Sequence, residues 1–214
     1  MRIWPVPNQE TRKVAYDTFD FTALSSQQAY KLLSGAIVPR PIAWVTTVDL
    51  DGRTNAAPYS FFNCLSADPP IVAPGVENHD DFRLKDTAAN IRMTEEFTVN
   101  IVDFASVLPM IETANDYPPE VCELEKAGIE TLPGIRNKAP QIAASPIRFE
   151  CRKYVGLNIG KSREIILGEV VAMHARTGVV NAAHRVDHTR LDAIGRLAGS
   201  FYCRTNEAQS IDGA

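Results

Sequence analysis

The fold is decided by the stretch Arg40-Pro41-Ile42-Ala43-Trp44-Val45-Thr46-Thr47, the pair Asp51-Gly52 and the return Asn55-Ala56-Ala57-Pro58-Tyr59-Ser60-Phe61-Phe62-Asn63. Residues 41–48 are apolar and β-branched, which predicts a strand. Asp51-Gly52 predicts a tight hairpin turn, because glycine tolerates the positive φ of such a turn. A second strand is expected through residues 53–62. Pro58 has no N–H, so this strand must bulge or lie at a sheet edge, where its backbone groups are free for a ligand.

Other elements are expected outward from this hairpin. Ser25-Ser26-Gln27-Gln28 is expected to open a helix with a serine cap, and this helix is expected to run through about Leu33 and stop at Gly35. A short helix is expected from Asp86. The remaining predictions are strands at 71–73 and 97–102, a hairpin of 147–159 with 164–174 around Gly160-Lys161-Ser162, and a short helix near 191–197.

This element order predicts a mainly β fold, a closed or split antiparallel β-barrel, because the helical crossovers of a parallel sheet are mostly missing. A polar, proline-rich segment from Phe104 to Leu132 is the expected excursion from the barrel. We expect an N-terminal arm over residues 1–22, one domain over 23–204 and a flexible tail over 205–214.

Composition excludes several classes of function. The 214 residues are 45% apolar and 22% charged, which suits a globular core, and the net charge of -4 gives no attraction to nucleic acid. There is no apolar run of the roughly 20 residues that a membrane span needs, and the N-terminus lacks a signal-peptide core, so a cytoplasmic protein is expected. His184 and His188 lack further ligands, so no metal site is expected.

A phosphate site is one candidate feature. Lys85 precedes Asp86 and Thr87 at the expected helix start, where a positive charge and backbone amides meet. The alternative is that Asp86-Thr87 is an ordinary helix cap.

A second group of candidates surrounds the interrupted strand. Ser60 and Asn63 can donate to phosphate, ribityl hydroxyls or a pyrimidine edge, close to the Ala57-Pro58 backbone. In the alternative interpretation, Ser60 and Asn63 bond to their own backbone in a turn.

Five side chains in and beside the first hairpin have open interpretations. Thr46 and Thr47 lie on opposite faces of a strand, so no more than one points at a given ligand. Arg40 suits a phosphate or an electronegative ring edge, or alternatively a surface carboxylate. Trp44 and Tyr59 could stack on a planar ring or belong to the core.

The chain resembles the flavin reductase-like family over residues 35–103, and more loosely over 147–202. The resemblance rests on the order and spacing of four motifs: Arg40-Pro41-Ile42-Ala43, Asn55-x-Ala57-Pro58-Tyr59-Ser60-x-Phe62-Asn63, Asp68-Pro69-Pro70 and Lys85-Asp86-Thr87-x-x-Asn90-Ile91.

The resemblance, nearest to the flavoredoxin-like branch, implies an FMN-binding split β-barrel and a homodimer with flavin near the subunit interface. It implies hydride transfer from NADH or NADPH to the flavin, with electrons passed to free flavin, a partner oxygenase, ferric iron or another acceptor. It implies no particular catalytic side chain. The expected FMN-binding residues are Arg40, Thr46, Thr47, Asn55, Ala57, Pro58, Tyr59, Ser60, Asn63, Lys85, Asp86 and Thr87.

The tail departs from the family pattern. It contains Gly195-Arg196-Leu197-Ala198-Gly199-Ser200-Phe201-Tyr202, where many two-component reductases carry a Gly-Asp-His pattern for the nicotinamide. Three hypotheses therefore stay open: an NAD(P)H-dependent FMN reductase, an FMN-binding electron carrier reduced by a protein partner, and a split barrel that has lost its flavin. The resemblance places Arg196, Gly199 and Tyr202 near the flavin or the other subunit.

Overall fold

The computed structural model describes residues 15–115, 117–118 and 121–207. The helices are α1 (Ser26–Ala36), α2 (Asp86–Thr94), α3 (Val107–Glu112), α4 (Glu123–Lys126) and α5 (His188–Leu191), with a 3-10 turn at Phe104–Ser106. The strands are β1 (Ala43–Val48), β2 (Thr54–Tyr59), β3 (Phe62–Ala67), β4 (Pro70–Glu77), β5 (Glu96–Ile101), β6 (Thr131–Leu132), β7 (Gln141–Ile142), β8 (Ile147–Ile159), β9 (Arg163–Ala175), β10 (Ile194–Arg196) and β11 (Tyr202–Arg204).

Seven strands form one antiparallel sheet, in the order β2-β1-β5-β8-β9-β4-β3. The predicted first hairpin is confirmed: Val48 pairs with Thr54, and Gly52 has a φ of 87° in the connecting turn. The predicted second hairpin is also confirmed, with Ile159 paired to Arg163 across Gly160.

The sheet is open along one seam. β2 and β3 follow each other in the chain, yet they lie at the two opposite edges of the sheet. The sheet curls so that β2 approaches β4 without pairing along their length. Pro58 therefore lies in an edge strand, as its missing N–H requires.

The core has two parts, one on each face of β1. Val45 packs with Phe97 and Ile166 inside the curled sheet, whereas Trp44 packs with Met110 and other residues on the outer face. The excursion covers this outer face. β1 is buried at every position for this reason, and its sequence is a continuous apolar and threonine run rather than an alternating one.

Trp44 also fixes the excursion in place. Its indole N–H donates to Thr113 Oγ1 at 2.9 Å, and Leu124 of α4 joins the same apolar cluster. Since a buried indole N–H requires a partner, this bond and the apolar cluster hold α3 and α4 against the outer side of β1 and β2.

Helix α1 starts as predicted and ends later. Ser25 forms a capping box with Gln28, in which each side chain accepts from the backbone N–H of the other residue. The predicted stop at Gly35 is wrong, because α1 runs to Ala36 and Ile37 N donates to Leu33 O. A single glycine costs a helix only about 1 kcal/mol, which tertiary contacts offset.

Two other boundaries differ from the prediction. The expected return strand 53–62 is two strands, β2 and β3, which pair with different neighbours. The helix expected near 191–197 is wrong: α5 ends at Leu191, Asp192 adopts a left-handed conformation, and β10 pairs with β11. Short apolar runs do not distinguish a helix turn from a strand, so pairing decides.

The predicted terminal segments lie largely outside the described residues, which exclude 1–14 of the expected arm and 208–214 of the expected tail. Over the part of the chain that is described, no helix combines the length and apolarity needed to cross a membrane.

Candidate functional site

A cleft lies in the open seam between β2 and β4, under the excursion. It has two connected parts, which share Pro58, Tyr59, Glu77, Ala114 and Asn115 in their walls. We call the larger part, about 380 Å³, the broad end, and the smaller part, about 140 Å³, the polar end. β2 is an edge strand, and β4 pairs with β9 and β3 but not with β2, so the space between β2 and β4 stays open.

The broad end is walled by flat groups. Tyr30 of α1 stacks on Phe61 with ring centroids 6.1 Å apart. Arg163 of β9 also contacts Phe61, with its Cζ 4.2 Å from the centroid of the ring. Arg196 Cζ lies 4.5 Å from the Tyr202 ring centroid. Aromatic and guanidinium planes of this kind favour a planar ligand, and the two arginines favour a ligand with negative charge.

The polar end is built where α2 starts. Asn55, in the orientation that satisfies both ends of its carboxamide, accepts from the Thr87 hydroxyl at 2.8 Å and donates to Glu123 Oε1 at 3.2 Å. Lys85 Nζ lies 3.7 Å from Glu77 Oε1. The first turn of α2 has free backbone N–H groups, so this end offers donors to an anion as well as carboxylates that oppose one.

Tyr59 is one of the residues that line both ends. It is buried, and its Oη has no hydrogen-bond partner among the described residues. Burial raises the pKa of the Tyr59 hydroxyl above its ordinary value, so this group is a neutral donor. A buried donor without a partner is costly, and a ligand acceptor in the cleft is one way to satisfy it.

The structure gathers eight of the twelve predicted residues at the cleft. Ser60 lies in the broad end, and Pro58 and Tyr59 lie in both ends. The polar end holds these two together with Asn55, Ala57, Lys85, Asp86 and Thr87.

Arg40 and Asn63 lie apart from the cleft, in a neighbouring apolar groove with Leu33 and Phe62. The Arg40 guanidinium donates to backbone carbonyls of Ser34, Ile37 and Leu197, and to Ser60 Oγ at 3.4 Å. These partners are three backbone carbonyls and one hydroxyl, and a contact between Arg40 and a ligand stays a prediction.

Thr46 and Thr47 are fully buried within the protein and do not line the cleft. The Thr46 hydroxyl donates to Pro140 O, and Thr47 Oγ1 accepts from Asn90 Nδ2 at 3.0 Å. Trp44 likewise belongs to the core. Thr46, Thr47 and Trp44 all lie on β1, which is buried on both of its faces, so their side chains are enclosed by the protein.

Sequence reasoning missed several residues of the cleft. Tyr30, Arg163 and Glu123 come from α1, β9 and α4, far apart in the chain. Their local patterns are those of an ordinary helix, hairpin strand and polar loop, so nothing local marks them. Arg196 and Tyr202 were expected near the flavin or the other subunit, and they line the broad end.

The model of the flavin reductase like domain family matches residues 34–190. Nitrilotriacetate monooxygenase component B from Bacillus cereus has 31% sequence identity and a TM-score of 0.89, with 92% of this chain and 100% of that chain covered. A 2-nitrobenzoate 2-nitroreductase from Pseudomonas fluorescens has 34% identity and a TM-score of 0.82, covering 92% and 96%.

A third solved structure bears on the fold alone. The flavin reductase structure from Shewanella frigidimarina, described as having a split barrel domain, shares 18% identity at a TM-score of 0.79, covering 90% of this chain and 96% of that chain. This confirms the predicted split antiparallel barrel. The split is the open seam between β2 and β4. Since the family model covers well over half of its length, the chain belongs to the flavin reductase-like family.

Proposed function

We propose that this protein is an FMN-binding oxidoreductase that takes hydride from NADH or NADPH at the seam cleft and passes electrons to a second acceptor. The observation that carries the proposal is the cleft itself. It joins planar, cationic walls at one end to phosphate-type donors at the other, and between them lies the Tyr59 hydroxyl, which has no partner in the part of the chain that the structure describes.

The residues present fit such a group. Thr87, the first N–H groups of α2 and Lys85 would hold the phosphate, because a helix start and an ammonium both favour an anion. Tyr59 and Ser60 would donate to the polar rim of the ring, and Phe61 and Tyr202 would flank it. When bound, the flavin supplies hydride and electron transfer, and the protein supplies position and exclusion of water.

The second ligand is expected to be anionic. Arg163 and Arg196 both line the broad end, and each guanidinium stacks on an aromatic ring that orients it. A nicotinamide dinucleotide carries a pyrophosphate, and a carboxylated acceptor such as the substrate named for the Pseudomonas relative carries a carboxylate. A partner oxygenase is a further acceptor, as the name of the Bacillus relative suggests.

An electron carrier of the flavoredoxin kind is the alternative function. The tail that would carry the Gly-Asp-His pattern instead forms β10 and β11, whose Arg196 and Tyr202 contact each other. A carrier would bind FMN and be reduced by a protein partner.

We also propose a homodimer. Tyr16, Phe19 and Phe21 of the N-terminal segment are exposed, as are Leu157 and Ile159 at the far part of β8. Exposed aromatic and aliphatic side chains of this kind are typical of a surface that a second subunit covers. Analytical ultracentrifugation checks this, and a monomer at micromolar concentration would contradict it.

One experiment separates the functions. The purified protein is mixed with FMN, its visible spectrum is recorded, and NADH or NADPH is added without oxygen. Bleaching of the bound flavin by either nucleotide supports the reductase. A yellow complex that neither nucleotide bleaches supports the carrier, and a protein that binds no FMN overturns both.

Replacing Tyr59 by phenylalanine is expected to act with opposite signs on stability and on binding. Removal of an unpartnered buried hydroxyl is expected to stabilise the flavin-free protein by about 1 kcal/mol. Loss of the donor is expected to weaken FMN binding by a similar amount, roughly fivefold in Kd. Thermal melting without flavin and a binding titration measure the two effects.

The matched control for this substitution is Tyr154→Phe, since Tyr154 is exposed and far along β8. It is expected to leave both quantities unchanged. A Tyr59→Phe protein that melts lower without flavin, or that binds FMN as tightly as the wild type, would remove Tyr59 from the proposed site.

A further inference from the structure

Glu123 occupies donors that the polar end would offer to a ligand. It is the first residue of α4 and reaches the free edge of β2. Its Oε2 accepts from Ala56 N at 3.4 Å, and its Oε1 accepts from the Asn55 carboxamide at 3.2 Å. Asn55 in turn accepts from the Thr87 hydroxyl. A carboxylate of the protein is thus already bonded to Asn55, which is itself bonded to Thr87, one of the residues that would hold a phosphate.

Carboxylates at this end oppose the donors that would hold the phosphate. Among the described residues that line it are three carboxylates, on Glu77, Asp86 and Glu123, against the ammonium of Lys85, with His79 beside them. Lys85 lies 3.7 Å from Glu77, so its charge is shared. Burial, followed by repulsion from Asp86, raises the pKa of the Glu123 carboxyl. A phosphate brought into this end would add a further repulsion.

The position of Glu123 is not explained by the needs of α4 alone. A first-turn carboxylate stabilises a helix from an exposed position equally well, as Glu125 does on the same helix. Glu123 instead turns into the cleft, where its charge is partly removed from water. Such a placement costs free energy and therefore points to a function of the charge at that place.

We propose that Glu123 is a specificity-determining residue that opposes the flavin's phosphate, and so keeps FMN weakly held and exchangeable. This inference rests on the proposed function of the cleft. The carboxylate competes with the phosphate for the Asn55 amide and the Ala56 N–H, and it repels the phosphate charge. It has no such effect on riboflavin, which has the same ring and ribityl chain without the phosphate.

The test compares the two flavins on the same variant. Glu123→Gln keeps the size and the acceptor oxygen but removes the charge. FMN is expected to bind about tenfold more tightly to this variant, the change expected when one repulsive charge is removed from a partly buried site. Riboflavin affinity is expected to stay within about twofold. Both dissociation constants are measured by isothermal titration calorimetry, and FMN release by stopped-flow fluorescence is expected to slow in proportion.

Glu125→Gln is the matched control, because it removes the same charge from an exposed position on the same helix. It is expected to leave both affinities unchanged. Glu123→Asp is the second variant: it keeps the charge but withdraws it toward α4, so its FMN affinity is expected between those of the wild type and Glu123→Gln.

Several outcomes would overturn the proposal. These are an unchanged FMN affinity in Glu123→Gln, an equal tightening for riboflavin, the same tightening in Glu125→Gln, or Glu123→Asp binding FMN more tightly than Glu123→Gln. Failure of the wild type and every variant to bind either flavin is a different result, since it removes the proposed function of the cleft itself. Circular dichroism confirms that each variant is folded.

Discussion

Glu150→Ala is expected to lower the free energy of unfolding by roughly 3 kcal/mol, the sum of several lost charge-assisted bonds less the relaxation around them. The Glu150 side chain is fully buried on β8, and its carboxylate accepts from the backbone N–H groups of residues 135–137 at 2.6–3.0 Å. It also accepts from Gln141 Nε2 at 3.2 Å and contacts His174 Nε2 at 2.6 Å. Without it these buried donors lose their acceptor. Urea denaturation measures the change.

The same carboxylate predicts a pH dependence. Burial raises the pKa of Glu150, and the bonds from Arg136, Ile135, His174 and Asn137 outweigh burial, so the pKa lies below its ordinary value. A lowered folded-state pKa contributes stability above the unfolded pKa of about 4.3, and this contribution is lost as the pH falls through the folded value. The stability difference between wild type and Glu150→Gln is therefore expected to be largest near neutral pH and to shrink in acid.

The control is Glu130→Ala, which removes an exposed carboxylate from the same covering layer. It is expected to change stability by less than about 0.5 kcal/mol. A Glu150→Ala protein as stable as Glu130→Ala, or a wild-type advantage that grows in acid, would contradict the role given to Glu150.

Arg40→Met is expected to cost about 3 kcal/mol of unfolding free energy, because backbone acceptors at several separate places lose a charged donor. The buried Arg40 guanidinium bonds carbonyls at the end of α1, Ser34 O and Ile37 O, and Leu197 O in the tail. It also reaches Ser60 beside the cleft. Burial lowers the pKa of Arg40, yet the group stays cationic near neutral pH.

Arg40→Lys tests whether geometry or charge matters. A single ammonium cannot span carbonyls that a planar fork reaches, so lysine is expected to restore less than half of the loss. Arg53→Met, at an exposed position, is the control and is expected to change stability by less than about 0.5 kcal/mol. Chemical denaturation measures the stability of all three variants. Full restoration by lysine would show that the charge of Arg40 is sufficient and that the planar geometry of its guanidinium is unimportant.

Several elements could be predicted because their chemistry is local. Ser25 caps α1 with Gln28 three residues on, and Asp51-Gly52 turns the first hairpin. Pro58 was correctly confined to an edge, since its missing N–H forbids a central position. The helix expected near 191–197 failed for the opposite reason: the pairing of Gly195 with Cys203 is a contact that a local pattern does not contain.

The residues of the candidate site also divide into those that a local pattern indicates and those whose partners depend on the tertiary structure. Lys85, Asp86 and Thr87 were predicted to bind a ligand because a helix start is a local source of donors; they line the cleft, and their contact with a ligand stays a prediction. Arg40 and Thr46 were placed with them on type and position alone, and the structure gives them other partners. Polar side chains in a motif indicate that hydrogen bonds are made, but they do not indicate with which atoms.

The sequence by itself determined the antiparallel, mainly β character of this protein, the two hairpins and the interrupted strand at Pro58, because turns, caps and proline act on neighbouring residues. Only the tertiary structure decided that the return strand divides at Ser60, so that β2 and β3 lie at opposite edges of one sheet. That division opens the seam, buries the Tyr59 hydroxyl without a partner among the described residues, and brings Arg163 and Glu123 to the same cleft. The physical reason is that pairing across a sheet joins residues far apart in sequence, and no local pattern specifies its far partner.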